Sequence, residues 1–114
     1  MAVNNKVLSM LGLARRAGKV VSGEFATEKA VKTGKAWAVL VAEDASENTK
    51  KMFRNMCDFY QVPFAVYEEK DALGHAIGQQ MRASLALTDE NFARTIMNMV
   101  NVNRDGGCEN GERE

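Results

Sequence analysis

The chain has 114 residues, 46% of them hydrophobic and 26% charged, and its 15 Lys and Arg balance its 15 Asp and Glu. That length suits one domain with a single modest core, and the balance excludes a uniformly basic, histone-like coat. No apolar run approaches the ~20 residues that span a bilayer, and no leader pattern opens the chain, so a cytoplasmic protein without a membrane partner is expected.

Asn4 or Asn5 is expected to cap a first helix whose Val7, Leu11 and Ala14 share one face, with Leu8 beside them. Gly18 ends it, and Lys19 to Ser22 reads as a short strand. Ser22-Gly23 opens a second helix that runs to Gly34. The run Trp37-Ala38-Val39-Leu40-Val41-Ala42 is continuously apolar, as in a strand covered on both faces. Asp44 and Glu47 have the spacing of a helix-capping arrangement. The helix after them places Met52, Phe53, Met56, Cys57 and Tyr60 at helical intervals. Pro63 precedes a strand over Phe64-Ala65-Val66-Tyr67, and Asp71 to Ile77 forms a short helix ended by Gly78. Ala83 to Leu87 is a last strand, and Asp89 caps a final helix with Phe92, Ile96 and Met99. Strands alternating with helices predict an α/β fold, a three-layer α/β/α sandwich around a small, mostly four-stranded sheet. The first strand is short enough for an edge.

Residues 101–114 have almost no apolar content and are expected to be a flexible polar tail to a single domain over 1–100. The two cysteines, Cys57 and Cys108, lie far apart, so neither a metal site nor a disulfide framework is expected.

Charge is uneven. Residues 1–35 hold seven basic side chains (Lys6, Arg15, Arg16, Lys19, Lys29, Lys32, Lys35) against Glu24 and Glu28. Gly23 lies among them at a helix N-terminus, where free N–H groups and the helix dipole favour anions. Lys29 and Lys32, on neighbouring turns, face either solvent or such a ligand. The loop Gly78-Gln79-Gln80-Met81-Arg82 is a second candidate. Arg82 offers planar donors, and Met81 is apolar in polar surroundings, either a half-buried strut or a ligand contact.

Catalysis has less support. His75 stands alone on a helix, and no Ser or Cys near it in sequence makes a nucleophile–base pair. Glu43-Asp44 follows the central strand, where carboxylates either cap a helix or serve as base or metal ligand. Gly12, Gly18 and Gly23 form neither G-x-G-x-x-G nor a P-loop. A protein that is not an enzyme and needs no cofactor is expected.

Gly23, Lys29-Ala30-Val31 and Gly34, then Val39-Leu40-Val41-Ala42-Glu43-Asp44, then Leu73-Gly74-His75-Ala76-Ile77-Gly78 and its following loop, together resemble the ribosomal protein family written L-seven-A-e. Members of that family bind kink-turn RNA. The likeness covers roughly residues 4–98 and leans to a small bacterial branch through Leu11-Gly12-Leu13-Ala14-Arg15-Arg16-Ala17-Gly18-Lys19 and Glu43-Asp44-Ala45-Ser46-Glu47-Asn48-Thr49. The resemblance implies a ribonucleoprotein role in translation, with the start of the second helix at the sheared G·A pairs and the loop before the last strand at the bulged bases. The resemblance carries RNA contact onto Gly23, Lys29 and Met81, and with the residue reading beside it the expected RNA-binding set is Gly23, Glu24, Phe25, Lys29, Lys32, Gln80, Met81 and Arg82. Many members follow the glycine with Gly-x-Asn-Glu-x-x-Lys, whereas here Phe25 and Ala26 replace the Asn and Glu and only Lys29 remains. Phe25 then either stacks on a base or packs on the core. The alternative reading is a protein–protein interaction module on the same fold whose RNA face has decayed.

Overall fold

The computed structural model describes residues 6–105. The expected Asn4 or Asn5 cap and Cys108 lie outside them. Nine elements follow in order: α1 (Lys6–Arg16), β1 (Val20–Ser22), α2 (Glu24–Lys32), β2 (Ala38–Val41), α3 (Glu47–Tyr60), β3 (Phe64–Val66), α4 (Lys70–Ala76), β4 (Ser84–Leu87) and α5 (Glu90–Asp105). The boundary expected at residue 100 therefore falls inside α5, and residues 106–114 are outside the described part.

The sheet order is β1-β4-β2-β3. β4 runs antiparallel to both its neighbours, pairing Ser22 with Leu85 on one side and Val41 with Ser84 on the other. β2 and β3 are parallel, joined through α3. Every residue of β2 and β4 is buried, while the expected edge strand β1 is only half-buried. On the helical layers, α2 packs against α3, and α1 packs against both α4 and α5. The architecture is the α/β/α sandwich that the alternation of elements predicts.

Apolar spacing sets each helix against the sheet. Val7, Leu11 and Ala14 of α1 are fully buried at intervals of four and three residues, and Phe53 and Cys57 anchor α3. Burial pushes the Cys57 thiol up to about 11, so it stays protonated and unreactive at neutral pH. Tyr60, expected on the same stripe, is exposed instead, at the last residue of α3.

Helices α1, α2 and α4 end alike. The residue after each cap is a glycine with positive φ (Gly18, Gly34, Gly78), and the two amides that follow the cap turn back onto the last turn. At α3 the same turn is made by Gln61 at φ 62°, whose side-chain amide donates to the Asp58 carbonyl at 2.9 Å.

The capping pattern after β2 resolves differently from its sequence spacing. Ser46, not Asp44, caps α3, its hydroxyl accepting from the Thr49 amide at 3.1 Å. The Asp44 carboxylate instead accepts from the Lys70 amide at 2.9 Å, closing the first turn of α4. Asp89 caps α5 as expected, accepting from the Phe92 amide at 3.0 Å.

Phe53 is a large, fully buried side chain, so Phe53→Ala is expected to cost about 3–5 kcal/mol in urea denaturation. Phe59→Ala, on the exposed side of the same helix, is expected to cost less than about 0.5 kcal/mol. Equal losses would place the core of α3 on the wrong face.

Candidate functional site

The site begins at Gly23, between β1 and α2. Its φ of 93° and ψ of 156° belong to a region essentially reserved for glycine. That twist lets the Gly23 amide donate to the Ser84 carbonyl of β4 at 2.9 Å while its own carbonyl accepts from Thr27 at 3.0 Å. With glycine as the cap, no side chain closes the first turn of α2. A Cβ at Gly23 would meet nothing within 4 Å, so the space beside the turn is open. Backbone N–H groups at such an uncapped end are donors for an approaching anion.

The second candidate segment is carried to the same place. Gly74 in α4 leaves room for the loop backbone to cross it, since a Cβ there would lie 1.4 Å from the Gln80 carbonyl oxygen. The Arg82 amide donates to the Lys70 carbonyl at 3.1 Å. The Arg82 guanidinium then ties the loop together, Nη1 donating to the Met81 carbonyl at 2.9 Å and Nη2 to the Gln79 side chain at 3.1 Å. Its Nε donates to the Ser22 hydroxyl at 3.2 Å, across 60 residues of sequence. The loop before β4 and the turn before α2 are thus joined. Gly78, Gln79, Gln80 and Arg82 line a shallow polar depression of about 450 Å³.

Two large apolar side chains stand out of this surface. Phe25 is 79% exposed and Met81 57%. The core position open to Phe25 from the sequence is therefore excluded, and the sheet-facing positions of α2 belong to Thr27, Ala30 and Val31. Glu24 is exposed on the same first turn, and Gln80 is exposed beside Met81.

The two candidate lysines differ. Lys29 is exposed and makes no ion pair among the described residues. Lys32 is bound to Glu28 at 2.7 Å, and that hydrogen bond, with the carboxylate charge behind it, raises the lysine above its ordinary value. Arg82 is likewise engaged within the protein at all three of its nitrogens, so its first role is to hold the loop. Arg15, Arg16 and Lys19 do not belong to this surface. Lys19 precedes β1 and Gly23 follows it, which puts them about 13 Å apart at opposite ends of the strand.

Ser22, Thr27, Gly74 and Ser84 were not legible as site residues. Thr27 Oγ1 and Ser84 Oγ are buried beside the Gly23 turn without hydrogen-bond partners among the described residues. The one sequence signal for Thr27 is a hydroxyl on the helix face that also carries Ala30 and Val31. His75 is exposed, and the described residues contain no group of His, Cys, Asp and Glu able to hold a metal ion. Among them, no helix is long and apolar enough to cross a membrane.

The family model described as the ribosomal protein L7Ae/L30e/S12e/Gadd45 family matches residues 5–97. A Bacillus subtilis (strain 168) protein named RNA-binding protein YlxQ is 42% identical over 91 residues, covering 80% of this chain and 91% of the relative. A protein of the same name from Enterococcus faecium is 36% identical over 96 residues, covering 83% and 91%. Among solved structures, a Bacillus halodurans protein of unknown function superposes with a TM-score of 0.84 at 36% identity, over 86% of this chain and 99% of that one. A Giardia lamblia 15.5kD RNA binding protein superposes with a TM-score of 0.72 at 20% identity, over 87% and 88%, a likeness of fold. The chain belongs to the ribosomal protein L7Ae/L30e/S12e/Gadd45 family, and its two named relatives are bacterial, as the sequence resemblance implied.

Because the loop crosses α4 at Gly74, Gly74→Ala is expected to displace it and to cost about 2–3 kcal/mol, as overpacking does. Amide exchange checks this at Arg82, whose protection by the Lys70 carbonyl should be lost. Unchanged protection would show that the loop does not depend on this crossing.

Proposed function

We propose that this chain is a non-catalytic RNA-binding protein that recognises a kink-turn or a similarly bent RNA, in ribosome function or assembly. The observation that carries the reading is the Arg82–Ser22 hydrogen bond, which makes one surface of the Gly23 turn and the Gly78–Arg82 loop. Phe25 and Met81 stand exposed on either side of that junction. The name carried by the two bacterial relatives supports RNA as the ligand.

A kink-turn brings two phosphate backbones close together and exposes unstacked bases beside sheared G·A pairs. The uncapped start of α2 supplies backbone donors where negative charge converges. Lys29, without an ion pair among the described residues, supplies the mobile cation. Met81 gives an apolar face for a bulged base, with Gln80 beside it to bond the base edge. Ordinary A-form RNA offers no such edge, because its major groove is deep and narrow.

Phe25 and Ala26 change the chemistry from that of relatives with Asn and Glu there. The side chains here do not donate to or accept from the G·A pairs at those positions. An exposed aromatic ring on the first turn stacks instead, and stacking is tolerant of sequence. Recognition then rests more on the bent shape than on base identity.

Titration of a kink-turn RNA against a version with its G·A pairs converted to Watson–Crick pairs tests the reading. Tighter binding of the kinked form, by about tenfold or more, is expected, because Watson–Crick pairing straightens the RNA and removes the unstacked bases, each worth about 1–3 kcal/mol when stacked; equal affinity at moderate salt would refute it. Lys29→Ala is expected to weaken binding to every RNA and to reduce the log–log salt slope by about 0.7–0.9. Phe25→Ala should cost about 1–3 kcal/mol of affinity with the slope unchanged. A Phe25 variant that binds as the parent does would remove the ring from the interface.

A further inference from the structure

The exposed stripe of α2 does not end at the Gly23 turn. Phe25, Lys29 and Lys32 recur at intervals of four and three residues, all exposed, and so lie along one line of the helix over about 10 Å. The line runs away from the Gly23 turn toward the C-terminal end of α2, which packs against α3. Tyr60 closes α3 at that same end, because α2 leads into β2 and α3 into β3, and those two strands run parallel side by side. Phe59 adjoins Tyr60 edge to face, with ring centroids 5.0 Å apart.

These two rings have no part in the core. Phe59 is 77% exposed and Tyr60 42%, although α3 has a complete apolar stripe without them in Phe53 and Cys57. Two adjacent exposed aromatics at one helix end form a platform, and the lysines leading to it match a phosphate chain in charge. Lys35, exposed just beyond α2, adds a third cation to the route. Aromatic faces joined by a basic track are the chemistry of single-stranded nucleic-acid binding, where bases stack and phosphates follow the cations.

We infer that a single-stranded RNA segment, continuous with the bent element bound at Gly23, follows Lys29 and Lys32 along α2 and stacks its bases on Phe59 and Tyr60. This rests on the RNA-binding reading of the Gly23 surface and extends it to a second contact. Lys32 is released from Glu28 when a phosphate takes its place, an exchange of one exposed partner for another. The platform recognises an unpaired strand as such, because every base presents a flat face, and it adds affinity without selecting sequence.

The experiment compares a blunt kink-turn RNA with the same RNA carrying about four unpaired adenosines on either end, enough to cover the track. Both are titrated by fluorescence anisotropy against the full chain and its Phe59→Ala and Tyr60→Ala variants. The extension at one end is expected to tighten binding by about 5- to 20-fold over the blunt RNA. Either variant should remove most of that gain while leaving affinity for the blunt RNA within about twofold, and Tyr60→Phe should preserve the gain. If the blunt RNA binds and neither extension adds affinity, the platform is not an RNA contact and the Gly23 reading stands alone. If the gain survives the Phe59→Ala, Tyr60→Ala double variant, the strand lies elsewhere and the inference fails. If the blunt RNA does not bind, both readings fall together. A neutral extension combined with altered sedimentation of the double variant would reassign the rings to contact between copies of the protein.

Discussion

Strand β4 is the constraint on which the rest of the molecule depends. It is last in the chain among the strands, yet it lies between β1 and β2 and bonds to both. Its start holds the Gly23 amide and its end the Trp37 amide, through the Ser84 and Leu87 carbonyls, and Thr88 just beyond it donates to the Lys19 carbonyl. Until Ser84–Leu87 is in place, β1 has no partner and the Gly23 turn has nothing to hang from. The pairing is also non-local, closing a loop of about 60 residues between Ser22 and its partner, which delays sheet completion relative to helix formation. A chain cut short before β4 would present the edges of β1 and β2 unpaired, the kind of surface that associates with other copies.

Much of the fold could be read from residues because its signals were local. Val7, Leu11 and Ala14 gave α1 its face, the run around Val39-Leu40-Val41 marked a strand buried on both sides, and Gly18, Gly34 and Gly78 marked three helix ends. What was not legible involved partners distant in the chain. Asp44 has the spacing of a local cap, but its carboxylate reaches α4, 26 residues on. Strand order leaves no periodic trace, so the insertion of β4 between β1 and β2 could not be seen. Gly74 carries no local signal of a close approach, and only the path of the later loop shows why nothing larger fits.

The candidate site divides the same way. Gly23 and the Gly78–Arg82 loop stood out by composition, but their union through Ser22 is a tertiary fact. Phe25 was ambiguous because an aromatic near a helix start has two common fates, and here the neighbouring Thr27, Ala30 and Val31 already fill the sheet-facing positions. The basic N-terminal stretch looked like one patch in sequence. Folding divides it, with Arg15, Arg16 and Lys19 at one end of β1 and Gly23 at the other. A neutral protein can therefore present a locally cationic helix face without a large long-range field, and salt would weaken only those contacts that directly meet phosphate in a bound RNA.

The way the Gly78–Arg82 loop is held has a consequence for when its order is acquired. Three guanidinium hydrogen bonds and the crossing at Gly74 fix the backbone in the free protein. Ordering a residue's backbone costs about 1–2 kcal/mol, and here that cost is met during folding instead of at the moment of association. Preorganisation of this kind raises affinity by lowering the entropy lost on binding, with no added contact. The loop is a rigid template, so a partner docking on it would be the component that changes shape to fit.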